Sequence, residues 1–225
     1  VRPLSRPSRD AGTERTFQAA TLYEASLGDH FRASRPLTVA CASPSSLVRQ
    51  TVERVFAALP CKLLAVDLPV RVRNPAHRRD ADVLRLSTTV RDAKAHLGVL
   101  IDDDGQRCAF VDERGRYVSP GAIARFLVPP LLARNSGATI LLESGAFNEM
   151  RPLVEALGGK CEASPESFFH VAKMVSETSA LYAGGDSGRH WFLDRFPTND
   201  AQLVLAKVLV AASQTEAPFS ELAAG

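Results

Sequence analysis

No apolar stretch of this 225-residue sequence approaches the ~18–20 residues that a membrane-spanning helix requires, which excludes a helical membrane protein. The opening stretch Val1 to Thr16 is rich in Pro, Ser and Arg and has no apolar core, so it reads as a flexible tail or linker and not as a signal peptide. Cysteine is scarce. Cys41, Cys61, Cys108 and Cys161 lie far apart with no CxxC or Cys/His cluster, which leaves a zinc site unsupported. Each stands in or beside an apolar run, so they read as four buried thiols of a cytoplasmic protein. An excess of one charge is missing too. The 27 basic and 25 acidic residues give a net +2 that rests on residues 1–16, where Arg2, Arg6, Arg9 and Arg15 face only Asp10 and Glu14. A balanced body lacks the basic face of a nucleic-acid binder. Five Lys against 22 Arg reflects composition more than function.

What is present is a 45% hydrophobic chain with room for two domains. Short apolar runs suited to strands buried on both faces alternate with helix-spaced segments. A helix at 16–27 precedes the strand Leu37–Ala42. Ser43-Pro44-Ser45 then caps a helix whose face is Leu47, Val48, Val52, Val55, Phe56 and Leu59. A strand at Cys61–Val66, a long loop from Leu68 to Ala81 and a helix from Asp82 lead to the strand Leu97–Ile101. Arg107–Val111 and Arg116–Ser119 flank Asp112-Glu113-Arg114-Gly115 as a β-hairpin. The rhythm then repeats: helix 120–134, strand 138–142, helix 147–157, strand 160–163, helix 166–178, strand 180–183, a glycine-rich loop and a closing helix near 199–213. The pattern predicts an α/β protein of two tandem three-layer α/β/α domains, with a break near 115–120.

Two loops carry chemistry. Ile101-Asp102-Asp103-Asp104-Gly105-Gln106-Arg107 follows a buried strand, at the sheet edge where α/β proteins bind ligands. Its carboxylates on a Gly-permitted turn can point several oxygens at one hard cation such as Mg²⁺; a solvated acidic turn is the alternative. Gly184-Gly185-Asp186-Ser187-Gly188-Arg189-His190-Trp191 offers close backbone approach and hydrogen-bonding side chains to an oxygen-rich ligand. His190-Trp191-Phe192 would anchor this loop, with sugar stacking by Trp191 as the other possibility. Phe168-Phe169 would fill the second core. The basic loop Arg71, Arg73, His77, Arg78 and Arg79 reads as solvated, and His30, His96 and His170 as isolated structural or surface groups.

Together, in this order, the loops resemble the α-D-phosphohexomutase family of phosphomannomutases, phosphoglucomutases and phosphoglucosamine mutases. "LGVLIDDDGQRCAFVDERGRYVS" is similar to that family's metal-loop strand and hairpin. "ALYAGGDSGRHWF" is similar to its sugar-binding loop, and "DRFPTNDAQLVLAKVL" to the helix that follows. The resemblance runs from about residue 16 to 213. It implies the second and third of four domains: a tail at 1–15, a metal-loop domain at 16–117, a sugar-loop domain at 118–215 and a C-terminal tail at 216–225, with a phosphoglucomutase-like fold and mixed sheets. It also implies Asp102, Asp104 and Gln106 as metal positions, Arg107 as the catalytic arginine beside the phosphoryl group, and Asp186, Ser187, Gly188 and Arg189 as substrate-binding.

The departures are as informative. Gln106 stands where the third metal aspartate is expected and carries no charge, so Mg²⁺ binding should be weak or lost. The loop glutamate falls on Gly185, the loop histidine on Arg189 and a general acid/base lysine near Ser164. No phosphoserine loop exists; Ala42-Ser43-Pro44 reads as a helix cap. The phosphate-clamping loop of the fourth domain is absent. Phosphoryl transfer depends on positioning and charge neutralisation. The expectation is therefore a truncated or degenerate mutase, inactive alone, that could bind a hexose phosphate and be completed by flanking domains or a protein partner. The alternative is a non-catalytic binding or regulatory module.

Overall fold

The computed structural model describes residues 13, 15–68, 80–194 and 198–224. The N-terminal tail, apart from residues 13 and 15, and all five residues of the basic loop lie outside them. The chain order is α1 (Ala19–Gly28), β1 (Thr38–Ala42), α2 (Ser46–Phe56), β2 (Lys62–Val66), α3 (Asp80–Asp92), β3 (Leu97–Ile101), β4 (Cys108–Asp112) and β5 (Tyr117–Val118). It continues as α4 (Pro120–Arg134), β6 (Thr139–Glu143), α5 (Ser144–Ala156), β7 (Lys160–Ser164), α6 (Phe168–Thr178), β8 (Tyr182–Gly184), β9 (His190–Phe192), β10 (Thr198–Asn199), α7 (Ala201–Ser213) and α8 (Phe219–Leu222).

The strands form two five-stranded sheets with the same topology. In the first, the order β2-β1-β3-β4-β5 pairs β2, β1 and β3 parallel and continues antiparallel through β4 and β5. In the second, β7-β6-β8-β9-β10 repeats that plan, again antiparallel from the fourth strand onward. The α/β architecture expected from the alternating pattern, with the mixed sheets that the resemblance implies, is the one observed. Its sequence cause is visible in burial: all five residues of β3 are buried, as are Val39–Ala42 and Ile140–Glu143 in the other central strands. The edge strands β2 and β7 are largely open to solvent and polar at intervals.

Helix starts follow capping chemistry. Ser45 Oγ accepts from Val48 N at 3.4 Å, Ser119 Oγ from Ala122 N at 3.1 Å ahead of Pro120, and Asp200 Oδ1 from the N–H groups of Gln202 and Leu203. Helix α3 covers one face of the first sheet and α6 one face of the second, each with its own apolar cluster. The remaining core is shared: Val39, Cys41 and Phe110 of the first half and Ile140, Tyr182 and Val204 of the second belong to one continuous cluster. Helix α7, from the second half, touches β3, α1 and α4.

Several local expectations need correction. Within the stretch expected as a C-terminal tail, residues 216–224 are packed and not free: α8 inserts Phe219, 3% exposed, against Phe126 and Phe110 at ring distances of 5.7 and 6.3 Å. Leu47 is 63% exposed because it sits in the first turn of α2, off the face that carries Val48 and Val52. Of Phe168-Phe169 only the first packs inward; Phe169 is exposed. Cys41 and Cys108 are buried, but Cys61, just ahead of edge strand β2, and Cys161, in edge strand β7, are half-buried. The short strands β9 and β10 follow the glycine-rich loop where the pattern suggested only a helix.

Candidate functional site

The repeated topology makes the two loops equivalent. The acidic loop joins β3 to β4 and the glycine-rich loop joins β8 to β9, so each is the first turn after the parallel strands of its sheet, at their carboxyl ends. The fold brings them together: Cys108 N donates to Gly188 O at 3.2 Å. Two further bonds tie the acidic loop to the second half, from Asn199 Nδ2 to Gln106 O at 3.0 Å and from Ala201 N to Gly105 O at 2.9 Å.

The acidic loop is held by its own backbone. Asp102 Oδ1 accepts from Arg107 N at 2.9 Å and Asp104 Oδ1 from Gln106 N at 3.0 Å, while Asp102 N donates to Arg107 O at 3.1 Å. Gly105 adopts φ of 70°, a left-handed turn that glycine reaches without strain. Carboxylate oxygens of Asp102, Asp103 and Asp104 lie within 4.8 Å of one another, close enough for one hard cation to share. Asp103 thus joins the cluster alongside the expected Asp102 and Asp104. Both backbone groups of Gln106 are engaged in the loop contacts above.

The glycine-rich loop depends on a residue that sequence reasoning missed. Glu143, at the end of β6 and only 1% exposed, accepts from Ser187 N at 2.7 Å and from Ser187 Oγ at 2.6 Å. Burial pushes its carboxyl above the usual range, and Glu166 and Asp186 add to the rise, against the lowering by the two Ser187 bonds. A Cβ placed on Gly185 would lie 2.6 Å from Glu143 Cβ and 2.8 Å from its Oε2, so the glycine leaves room for that carboxylate. The only sequence signal for Glu143 was an acid ending an otherwise apolar strand. Beside it in register is Ser164, buried, with an Oγ that has no partner.

Asp186 takes a different direction. Its carboxylate lies against Gly145 and 3.0 Å from where a Cβ on Gly121 would sit, in the first turns of α5 and α4. The N-terminal dipoles of both helices favour negative charge there. Arg189 faces the acidic loop: burial and the charge of Arg107 lower its pKa, while Asp102, Asp104 and Glu143 raise it, so these five groups share one electrostatic neighbourhood. Its Nε is buried without a partner. Trp191 is fully buried and packs 6.2 Å from Phe168, which fits the anchoring reading and rules out stacking on a sugar. Ser43 is fully buried as well, so its hydroxyl is no exposed nucleophile.

Residues 134–225 match the profile of the phosphoglucomutase/phosphomannomutase alpha/beta/alpha domain III. The chain resembles the α-D-phosphohexomutase family. A phosphomannomutase/phosphoglucomutase of Pseudomonas syringae pv. tomato is 28% identical over 174 residues, covering 75% of this chain and 37% of that protein. The crystal structure of a phosphoglucomutase/phosphomannomutase family protein from Burkholderia thailandensis superposes with a TM-score of 0.82 at 23% identity, covering 92% of this chain and 46% of the other. The N-acetylphosphoglucosamine mutase of Aspergillus fumigatus, solved with GlcNAc-6P and magnesium, shares the fold at a TM-score of 0.59 and 14% identity, over 92% of this chain and 51% of that one. The phosphohexomutase-like chain thus spans about two fifths of the curated relative's length. None of the described helices is long and apolar enough to cross a membrane.

Proposed function

We propose that this chain is the metal-loop and sugar-loop part of a phosphohexomutase, with the division between the two units at residues 117–118, and that it binds a hexose phosphate without turning it over alone. The observation that carries this reading is the joining of the two equivalent loops through Cys108 N and Gly188 O, which puts Arg107, Arg189, Asp102 and Asp104 in one electrostatic neighbourhood. Arg107 and Arg189 would hold the phosphate, Arg189 with an unspent Nε. Ser187 and Gly188 would meet the sugar hydroxyls, with Glu143 fixing the serine. Asp186, whose carboxylate lies beside Gly121 and Gly145 at the starts of α4 and α5, would hold the loop against those helix ends.

The acidic loop fits a divalent cation by donor type and spacing. Asp102 and Asp104 would hold Mg²⁺, with Asp103 and the Gln106 side-chain carbonyl as further oxygens, and the missing charge at Gln106 weakens the site. When bound, the ion neutralises charge on the phosphoryl group. The sequence holds no stretch resembling the family's phosphoserine loop, and a serine stands near the position where the family's lysine is expected, at Ser164, so on this reading phosphoryl donor and general acid/base come from elsewhere.

The experiment is calorimetry with glucose 1-phosphate and mannose 1-phosphate, with and without Mg²⁺. Millimolar binding that Ser187→Ala and Glu143→Ala each weaken by about tenfold is expected, since each change removes hydrogen bonds to a charged group worth ~1.5–3 kcal/mol. Absence of heat at millimolar ligand overturns the binding reading. Turnover of glucose 1-phosphate to glucose 6-phosphate overturns the inactivity. One observation favours the other reading, a non-catalytic module: both Glu143 oxygens already grip Ser187, so the loop is satisfied without a ligand.

A further inference from the structure

Helix α7 runs through the shared core with Val204, Leu205, Val208 and Leu209 buried, so its first turn has a fixed place at the seam. The opening N–H groups of a helix need acceptors from outside it. Gln202 N and Leu203 N donate to Asp200 Oδ1 at 2.9 and 3.2 Å, but Ala201 N donates to Gly105 O, in the acidic loop, at 2.9 Å. Asn199, the residue before the cap, donates through Nδ2 to Gln106 O at 3.0 Å. The acidic loop therefore hangs from the start of α7 by two successive carbonyls. Asp200 stands between the two donors in the chain.

The other oxygen of Asp200 reaches the first half of the molecule. Its Oδ2 accepts from Tyr23 OH at 2.8 Å, and that hydroxyl accepts in turn from Gln202 Nε2 at 3.1 Å. Both carboxylate oxygens are thus engaged, one on α7 and one on α1. Removing the cap frays a helix start, and here fraying moves Asn199 and Ala201 away from the loop carbonyls. The same loop residues shape the carboxylate cluster, since Gln106 N and Arg107 N close onto Asp104 Oδ1 and Asp102 Oδ1.

We propose that Asp200, held by Tyr23, is a positioning residue that fixes the acidic loop and with it the spacing of the Asp102 and Asp104 carboxylates. The inference rests on the reading of that loop as a cation site, but the positioning is tested without the ion. A purely electrostatic role is the rival account, because Asp200 shares a cavity wall with Asp103 and Asp104. Asparagine separates the two: it caps a helix as well as aspartate does and carries no charge.

The test compares amide hydrogen exchange, followed by NMR in the intact chain without metal, with Mg²⁺ calorimetry on the same proteins. Asp200→Ala should speed exchange of the Gln106 and Arg107 amides about tenfold, as for loss of a helix cap, and leave Ala40 in β1 and Leu141 in β6 unchanged. Asp200→Asn should exchange like the native chain. Tyr23→Phe, which keeps the ring, should give an intermediate rate. Mg²⁺ affinity should fall about tenfold in Asp200→Ala and no more than about threefold in Asp200→Asn, the share of a partly exposed charge. Native exchange at Gln106 and Arg107 in Asp200→Ala overturns the proposal, as does equal acceleration at Ala40 and Leu141, which is general loosening. Full loss of Mg²⁺ affinity in Asp200→Asn with native loop exchange makes the role electrostatic and also overturns it. Absence of Mg²⁺ heat in the native chain overturns the cation reading alone, and the exchange rates still decide the positioning.

Discussion

His190 shows what one side chain contributes in a fully buried setting. Its Nδ1 shares a 2.6 Å hydrogen bond with Tyr182 OH, and burial lowers its pKa to about 4. The folded chain therefore prefers the neutral ring, whereas an unfolded histidine titrates near 6.5. Between those values the unfolded state binds more protons, so this group's stability is complete above pH 6.5 and is lost as pH falls toward 4. A shift of that size is worth on the order of 3 kcal/mol. The melting temperature should fall steeply below pH 6.5 in the native chain and less steeply in a Tyr182→Phe/His190→Leu double variant, which removes both polar partners. Parallel curves for the two proteins would assign the acid sensitivity elsewhere. The same burial, with Glu53 adding a smaller rise, pushes the Cys41 thiol up to about 12, so that cysteine acts as a small apolar side chain.

At the scale of elements, the sequence was most legible where periodicity and capping agree. The helix Pro120–Arg134 and the strand Leu97–Ile101 follow from Ser119-Pro120 and from an unbroken apolar run, and both stand where expected. Pro129 and Pro130 within α4 remove two donors but do not end the helix, because its apolar residues Ile123, Leu127, Val128 and Leu132 are all buried. The two loops were legible as loops. Glu143 was not, since its role arises from a neighbour 44 positions later in the chain. The C-terminal turn was lost for the opposite reason: four residues carry too little periodicity to read. Phe219 gives α8 its weight, and Ser220 ties it to the β4–β5 turn through Glu113, with Ser220 N donating at 3.0 Å. Phe219→Ala should cost about 3 kcal/mol, as for other buried aromatics, measured by denaturant unfolding. A loss within ~0.5 kcal/mol would show that the turn is an ornament of the fold.

For the whole molecule, the repeated topology raises the question of whether the halves fold independently. Each sheet has one private apolar layer, under α3 or α6, but the largest cluster runs from Leu27 and Val39 through Phe110 to Ile140, Tyr182 and Leu209 without a break. The seam adds polar stitches: Ser34 N to Ser213 Oγ at 3.0 Å, Ser34 Oγ to Ser213 O at 2.7 Å, and the Asn199–Gln106 bond beside the site. Separating the halves would expose the shared apolar layer at about 25 cal/mol per Å², a larger penalty than a short linker's entropy returns. Calorimetric unfolding of the intact chain should therefore give one transition whose calorimetric and van't Hoff enthalpies agree. Two resolved transitions would make the halves autonomous. Asn199→Ala tests the link to function, because it removes a stitch that lies on the acidic loop itself. It should lower the single transition by roughly 1 kcal/mol and weaken Mg²⁺ binding together, since the hydrogen bond that joins the halves also orders the loop that carries the carboxylates.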